Sequence, residues 1–312
     1  MRYLWLVLLL YSCHQGPKIP TLERDVTLPL YHVGTPHRFV KATIQEREWY
    51  FLIDTGANES AVTPKAAQEM ALAVKYGGAP ISGIGGDADA DSSLIPRLEL
   101  GALSLKRIPV RVVSLSSEIF TEHDELLAGY LGASFWQHFQ LGLDLAGGSL
   151  KLSSPGGAAL FPGAPLKAKL QRQQETWVDS MIQGEALSLE LDTGAEHTFL
   201  FRGKTSLKGA VGEMFVGGIG PGRNLTVEIL RVPTLQLGEA SVRDVLVIIL
   251  DRERRKSGLL GADVLAGFLV DLDPTRDTLY LWPRDATDTA IDLRPPLPPK
   301  KNGPPVIIEG DF

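Results

Sequence analysis

Cysteine and positive charge are both scarce in this chain. Among 312 residues there is one cysteine, Cys13, so an intrachain disulfide is impossible. The 31 Lys and Arg residues are outnumbered by 37 Asp and Glu residues, which gives a net charge of −6. Since nucleic acids are bound through basic surfaces, this balance argues against a nucleic-acid partner.

The motifs of several enzyme classes are also missing. The six histidines show no His-Glu-x-x-His spacing, and no Gly-x-Ser-x-Gly elbow occurs, which argues against zinc peptidases and serine hydrolases. The glycine-rich stretch 217–222 does not fit the dinucleotide fingerprint. The acidic run 87–91 is followed by Ser92 and Leu98 where a calcium loop needs Gly and Glu. We therefore expect no metal and no other cofactor.

A short apolar run stands near the N-terminus, at residues 4–10, after the basic Arg2. It is too short to cross a bilayer as a helix. A basic start, a short apolar core and a small residue before position 13 are typical of a secretion signal. We therefore predict a signal peptide over residues 1–12 and leave it out of the fold.

Cys13 follows this segment directly. Residues 10–13, Leu-Tyr-Ser-Cys, resemble a bacterial lipobox, although Tyr11 is unusual for that motif. The resemblance implies cleavage before Cys13, a lipid on its sulfur, and attachment to a membrane surface. We therefore expect an exported protein that is lipid-anchored in a bacterial cell envelope, facing the periplasm or the cell surface. The alternative is an ordinary cleaved signal with an incidental cysteine.

The rest of the chain repeats itself. FLIDTGANES at residues 51–60 returns as LELDTGAEHT at 189–198, with the two aspartates, Asp54 and Asp192, 138 positions apart. Three further features follow in the same order in both halves, a regularity that indicates a duplicated structural unit. They are the glycine-rich stretches 81–86 and 216–222, the segments 95–101 and 232–238, and the longer segments 129–152 and 258–281.

Short apolar alternations punctuated by 32 Gly and 21 Pro predict an all-β fold with two lobes. The segments 98–105 and 235–242 are predicted hairpins that turn on glycine, and one short helix per half is predicted at 132–139 and 262–268. The predicted organisation is a signal peptide at 1–12, an N-terminal linker at 13–25, a first lobe at 26–155, an inter-lobe linker at 156–170, a second lobe at 171–285 and a proline-rich tail at 286–312.

Two strands that each end on an aspartate can place two carboxylates face to face across a pseudo-twofold axis. Like charges this close cannot both ionise easily, so the pair shares a proton. The ionised carboxylate of Asp54 or Asp192 can then take a proton from a water, while the protonated one polarises a carbonyl. This chemistry needs neither a metal nor a covalent intermediate.

The chain resembles the aspartic peptidases of the pepsin and retropepsin clan. Asp-Thr-Gly-Ala stands at 54–57 and at 192–195, and an apolar-apolar-Gly element follows at 130–132 and 259–261. Each half is shorter than a pepsin lobe and closer to a retropepsin subunit. The resemblance therefore implies closed β-barrel lobes of two retropepsin-type units fused in tandem.

The resemblance also implies roles for individual residues. The catalytic pair would be Asp54 and Asp192. The residues supporting the pair would be Thr55, Gly56, Ala57, Thr193, Gly194 and Ala195. The flaps that cover a substrate would present Gly83, Ile84, Gly85, Gly218, Ile219 and Gly220.

We expect an aspartic endopeptidase that acts as a monomer with an internal pseudo-dimer and takes a peptide or protein as its substrate. One alternative is a non-catalytic peptide-binding lipoprotein that keeps the fold. Another keeps catalysis but pairs halves between chains, which the short linker and the complete pair of motifs argue against.

The two copies differ two residues before the aspartate, where the first has Leu52 and the second Glu190. Side chains two apart on a strand share a face, so both could line the cleft. We expect Glu190 either to form a subsite for a positive or polar side chain or to lie at the rim facing water.

Overall fold

The structure is a computed structural model that describes residues 22–32, 37–116, 126–172, 175–220, 222–252, 257–284 and 290–292. The predicted signal peptide, Cys13 and all but three residues of the predicted tail lie outside these ranges. Within them, no helix is both long enough and apolar enough to cross a membrane.

The described residues form mostly strands, which confirms the predicted all-β class. The strands are β1 (Val26–Tyr31), β2 (Phe39–Ile44), β3 (Arg47–Ile53), β4 (Ala61–Val62), β5 (Ile81–Gly83), β6 (Gly86–Ala88), β7 (Asp91–Leu100), β8 (Leu103–Val112), β9 (Leu127–Leu131), β10 (Gln140–Asp144), β11 (Ser149–Ser153), β12 (Leu166–Arg172), β13 (Thr176–Ile182), β14 (Glu185–Leu191), β15 (Thr198–Phe201), β16 (Ala210–Val216), β17 (Arg223–Leu237), β18 (Ala240–Leu250), β19 (Gly258–Leu260), β20 (Phe268–Leu272), β21 (Thr278–Pro283) and β22 (Ala290–Asp292).

The first lobe is a closed ring of six strands. They pair in the order β2, β3, β9, β4, β8 and β7, and β7 returns to β2. The pairs β3–β9 and β4–β8 are parallel and the other pairs are antiparallel. Alternate side chains of β2 point inward, as its apolar and polar residues predict.

The second lobe repeats this ring with the same connections. Its strands pair in the order β13, β14, β19, β15, β18 and β17, and β17 returns to β13. The parallel pairs are again the two equivalent ones, β14–β19 and β15–β18. The repeat in the sequence is therefore a repeat of topology.

A six-stranded antiparallel sheet joins the two lobes. Its order is β1, β11, β10, β20, β21 and β12, so each lobe supplies three strands. The central contact is β10 with β20, where Leu141 pairs with Leu272 and Leu143 with Val270. One cluster of buried apolar side chains runs through this sheet and both rings. Strand β12 begins at Leu166, inside the segment predicted as a linker.

The predicted hairpins turn on glycine as expected. Gly101 connects β7 to β8 with a φ of 55°, and Gly238 connects β17 to β18 with a φ of 56°. These left-handed angles favour glycine because other residues clash there.

The helices are α1 (Pro64–Glu69), α2 (Ala133–Trp136) and α3 (Ala262–Leu265), with a 3₁₀ turn at Arg202–Lys204. The last two helices are the predicted pair, although each is shorter than predicted. Helix α1 was missed, although Thr63 caps it by accepting from the Ala66 N–H and Pro64 occupies its first turn. Of the predicted tail, Ala290–Asp292 pairs as a parallel strand with β18.

Candidate active site

The two Asp-Thr-Gly-Ala motifs of the repeat lie at equivalent points of the two rings. Asp54 follows β3, and its N–H donates to the Leu131 carbonyl of β9 at 3.1 Å. Asp192 follows β14, and its N–H donates to the Leu260 carbonyl of β19 at 3.0 Å. In each lobe, a parallel neighbour strand therefore fixes the end of the strand that carries the acid.

Each carboxylate is held by the backbone that follows it. Oδ1 of Asp54 accepts from the N–H groups of Gly56 at 3.0 Å and Ala57 at 2.9 Å. Oδ1 of Asp192 accepts in the same way from Gly194 at 2.9 Å and Ala195 at 3.0 Å. Two N–H donors on one oxygen orient each carboxylate and leave its other oxygen to face across the axis.

Glycine allows the two acids to approach. A methyl group on Gly56 would lie 2.4 Å from the carboxyl carbon of Asp192, and one on Gly194 would lie 2.6 Å from that of Asp54. These distances are well below contact distance, so each glycine leaves the room that the opposite carboxylate occupies.

The threonines tie the two loops together across the axis. Thr55 Oγ1 donates to the Leu191 carbonyl at 2.7 Å and accepts from the Thr193 N–H at 3.0 Å. Thr193 Oγ1 donates to the Ile53 carbonyl at 2.5 Å and accepts from the Thr55 N–H at 3.1 Å. Both threonines are buried, so water does not compete with these four bonds.

The carboxyl groups of Asp54 and Asp192 interact electrostatically. Burial, the charge of Asp54 and a hydrogen bond with its side chain raise the pKa of Asp192 well above the usual range, against the lowering effect of the Gly194 and Ala195 N–H groups. Burial and the nearby charge of Asp54 also raise the pKa of Tyr130, which precedes Leu131 on β9. The two carboxyl groups therefore titrate as one unit.

The predicted flaps contact each other through their tips. The first is the hairpin β5–β6, whose tip contains Gly83, Ile84 and Gly85. The second is formed by β16 and β17, with Gly218, Ile219 and Gly220 near its tip.

The flap tips touch each other and the opposite lobe. A methyl group on Gly83 would lie 2.6 Å from Cβ of Ile219. Ile84 packs against an apolar cluster of the second lobe, and Ile219 packs against one of the first lobe. Each flap thus reaches across the site.

The residues two positions before the aspartates, Leu52 and Glu190, are both buried. Leu52 is 7% exposed and belongs to an apolar cluster with Phe39, Leu127 and Tyr130. Glu190 is 2% exposed and pairs with Trp177 on β13. The alternative that Glu190 lies at the rim facing water is therefore wrong.

Several residues near the site were not found from the sequence. Trp136 Nε1 donates to the Asp54 carbonyl at 3.2 Å, and His37 Nε2 lies 2.9 Å from the Gly194 carbonyl oxygen. Ser116 N–H donates to the Gly218 carbonyl at 2.8 Å, and Arg252 Nη1 donates to the Gly83 carbonyl at 3.2 Å. None of these residues has the same type at the equivalent position of the other half, so the repeat gave no signal for them.

Within the described ranges, no group of three or more His, Cys, Asp or Glu side chains is arranged to hold a metal ion. Cys13, the predicted lipidation site, lies outside those ranges.

A sequence model of the family described as "Aspartyl protease" matches residues 40–135 and 178–264. No curated protein matches the chain. Among solved structures, a retropepsin-like aspartic protease from Rickettsia conorii matches with 20% identity and a TM-score of 0.30, over 41% of this chain and 90% of that chain. The family model covers more than half of this chain in two segments, one around Asp54 and one around Asp192. The chain therefore belongs to the aspartyl protease family, whose model matches it twice in tandem.

Proposed function

We propose that this protein is an aspartic endopeptidase whose catalytic pair is Asp54 and Asp192, one from each lobe. The observation that carries the proposal is the contact between the two carboxyl groups across the axis. Each carboxylate is anchored by two N–H donors of its own loop, and the opposite glycine leaves it room. The raised pKa of Asp192 supports a pair that keeps one proton between its members.

In the proposed reaction, a water lies between the two carboxyl groups. The ionised carboxylate removes a proton from the water as its oxygen attacks the carbonyl carbon of the scissile peptide. The protonated carboxyl donates a hydrogen bond to the carbonyl oxygen and stabilises the charge that develops there. A proton then passes to the amide nitrogen, the C–N bond breaks, and the pair again holds one proton.

The flaps support an extended peptide as the substrate. Their tips are rich in glycine, and an extended segment could hydrogen-bond to backbone groups of such flaps as an added strand. Ile84 and Ile219 add apolar contact from the two sides. Side-chain preference would then come from the cleft walls below the flaps.

We propose that Leu52 and Glu190 give the two walls of the cleft different side-chain preferences. An apolar side chain at one subsite and a buried carboxylate at the other would favour a peptide with an apolar and a basic or polar side chain flanking the cut. Comparing the cleavage sites of wild type and Glu190→Leu in a peptide library tests this. An unchanged profile would remove Glu190 from the specificity.

Catalysis itself is tested by digestion of the same peptide library. Wild type is expected to cleave and to be inhibited by pepstatin, whereas Asp54→Asn and Asp192→Asn should each lose activity by at least about a thousandfold, since both acid and base roles are needed. Asp277→Asn, an exposed aspartate in the β20–β21 turn, is the matched control and should be unchanged.

The experiment also separates the competing function. If wild type binds extended peptides without cutting them, and both dyad variants bind equally well, the protein is a non-catalytic peptide-binding member of its family. Equal cleavage by wild type and Asp54→Asn would show that another group does the chemistry.

We propose, from the sequence alone, that Cys13 is lipidated and holds the exported enzyme at a bacterial envelope membrane as a monomer. Mass spectrometry of the mature N-terminus tests the lipid, with Cys13→Ala as the variant that should leave the membrane fraction. Gel filtration of the Cys13→Ala protein tests the monomer.

A further inference from the structure

We propose that His37, in the first lobe, is a positioning residue for Asp192 in the second lobe, acting through the peptide group between Gly194 and Ala195. The proposal deepens the proposed function, because it concerns the protonation of the same acid pair.

The contact joins the two lobes at the catalytic loop. His37 lies just before β2, and its Nε2 is 2.9 Å from the carbonyl oxygen of Gly194. A carbonyl oxygen only accepts, so Nε2 must carry the hydrogen and donate it.

The other end of the same peptide group binds the acid. The carbonyl of Gly194 and the N–H of Ala195 belong to one peptide, and that N–H donates to Asp192 Oδ1 at 3.0 Å. A hydrogen bond to the carbonyl polarises the peptide and makes its N–H a stronger donor. His37, the peptide and Asp192 thus form one chain of hydrogen bonds.

Stronger donation to a carboxylate favours its ionised form. The Ala195 N–H already lowers the pKa of Asp192 against burial and the charge of Asp54. Asp192 is the member of the pair whose pKa is raised, so it ionises last, and His37 therefore lowers the upper pKa of the pair, above which both acids are ionised.

The ring of His37 is suited to staying neutral. Burial, and then the charges of His197 and Arg38, lower its pKa to about 4 despite the bond to Gly194. Its Nδ1 is buried and has no hydrogen-bond partner among the described residues. Among the described residues, a second proton on Nδ1 would find no acceptor, which agrees with the lowered pKa and favours the neutral Nε2–H tautomer down to about pH 4.

Several charged or titratable groups lie around this chain of hydrogen bonds. His197 and Arg38 face His37, Asp54 faces Asp192, and Glu196 follows Ala195 with a pKa that burial raises. Among these groups and His37 itself, His37 is the one that donates to the Gly194–Ala195 peptide.

The first catalytic loop is arranged differently. Phe39 in β2 and Trp177 in β13 are equivalent, because they pair with Leu52 and Glu190. Two residues earlier in each half, the counterpart of His37 is therefore Glu175. Glu175 accepts from Trp177 Nε1 at 3.1 Å, and a carboxylate has no hydrogen for the Gly56 carbonyl. Of these two equivalent residues, only His37 can therefore donate to a catalytic loop.

The experiment is an NMR titration of the protein labelled with ¹³C at aspartate carboxyls, with Asp54→Asn and Asp192→Asn assigning the pair. In His37→Phe the upper pKa of the pair should rise by about half a unit to one unit, because a polarising donor is lost. The alkaline limb of kcat/KM should move by the same amount. In His37→Gln, whose amide N–H can donate, both should stay near wild type. An unchanged upper pKa in His37→Phe would overturn the proposal.

A measurement on wild type alone keeps the proposal testable if a variant fails to fold. The ¹⁵N shifts of the His37 ring should show hydrogen on Nε2 and none on Nδ1 from neutral pH to about pH 4, and the opposite tautomer would overturn the proposal. His138→Phe removes another partly buried histidine, away from the pair, and should leave the titration unchanged. Because NMR needs no turnover, a pKa shift without peptidase activity would contradict the proposed function and support His37.

Discussion

The two lobes agree at the acid pair and differ around it. Both rings have the same pairings, both aspartates accept two N–H bonds, and both threonines bridge to the other loop. Around this centre the matching positions differ in chemistry. Two residues before the aspartate, the first lobe has Leu52 and the second has Glu190. Among the described residues, only the Asp192 loop has a carbonyl that is bound by a histidine of the other lobe, His37.

The helices below the loops differ in the same way. In the first lobe, the Ser60 N–H and hydroxyl contact the hydroxyl of Ser134 at 2.9 and 3.1 Å. In the second, the Thr198 N–H and hydroxyl donate to the carboxyl of Asp263 at 3.0 and 2.9 Å. The two lobes therefore share the hydrogen bonds at the acid pair and differ in the residues that support the loops.

The strongest prediction concerns the part in which the lobes agree. Gly56→Ala and Gly194→Ala should each lower kcat by a hundredfold or more, because a new methyl would displace the opposite carboxylate and a misplacement of about 1 Å can have that effect. Steady-state kinetics measures it.

Gly203→Ala is the matched control, since a methyl there meets no atom within 4 Å. A loss in only one of the two site variants would mean that the approach of the carboxylates is not symmetric.

The two threonine bridges should contribute equally to the free energy of unfolding. Thr55→Val and Thr193→Val each keep the shape but leave a buried N–H and a buried C=O of the other loop without partners, at a cost of about 2–4 kcal/mol in unfolding free energy. The double variant should cost less than the two singles together, because the four bonds form one network.

Chemical denaturation measures these differences, and the exposed Thr226→Val serves as the control. Additive single and double variants would contradict a shared network.

The sequence predicted the symmetric half of this comparison well. The repeat around Asp54 and Asp192 located the two acids, the bridging threonines and the flaps, because those residues recur at a constant order. The glycine turns at Gly101 and Gly238 were predicted for the same reason, since their left-handed backbone restricts the residue type.

The asymmetric half could not be predicted in this way. His37 reaches Gly194 across 157 positions of sequence, and its counterpart Glu175 is of another type. Glu190 was recognised as different, but its burial depends on β13 packing beside it. Contacts that bring distant strands together leave no local pattern, so only the folded chain shows them.

The flaps offer a smaller test of asymmetry. The first flap tip is tied to the second lobe by the Arg252 side chain, whereas the second tip is tied to the first lobe mainly by the Ser116 backbone N–H. Arg252→Met should therefore raise KM several-fold with little change in kcat, since it removes a side-chain donor that holds the closed flap.

Ser116→Ala should change KM less than about twofold, because it removes only the longer Oγ contact at 3.3 Å and leaves the backbone bond. Equal effects in the two variants would contradict unequal anchoring. Arg231→Met, which breaks an exposed ion pair with Asp244, is the control for loss of a surface arginine.

The smallest expected effect is a difference between the lobes in how the free energy of unfolding depends on pH. Burial raises the pKa of Asp263 from 3.8 to about 6, against its hydrogen bonds from Thr198 and Val264. The folded state therefore favours the neutral acid, and the stability that this gives is complete below about pH 4 and is lost as the pH rises through 6. Wild type should lose about 2 kcal/mol over that range from this group.

Ser134, the counterpart of Asp263, does not titrate in this range, so the two helix variants should behave differently. Asp263→Asn should flatten the dependence of unfolding free energy on pH between 4 and 7, while Ser134→Ala should lower the whole curve without changing its slope. Denaturation at several pH values measures both. Asp192 contributes a slope of the same sign in every variant, so the comparison rests on differences between the curves. A curve for Asp263→Asn that runs parallel to wild type would mean that Asp263 has the same pKa in the folded and the unfolded protein, and that the second lobe is no more sensitive to pH at this helix than the first.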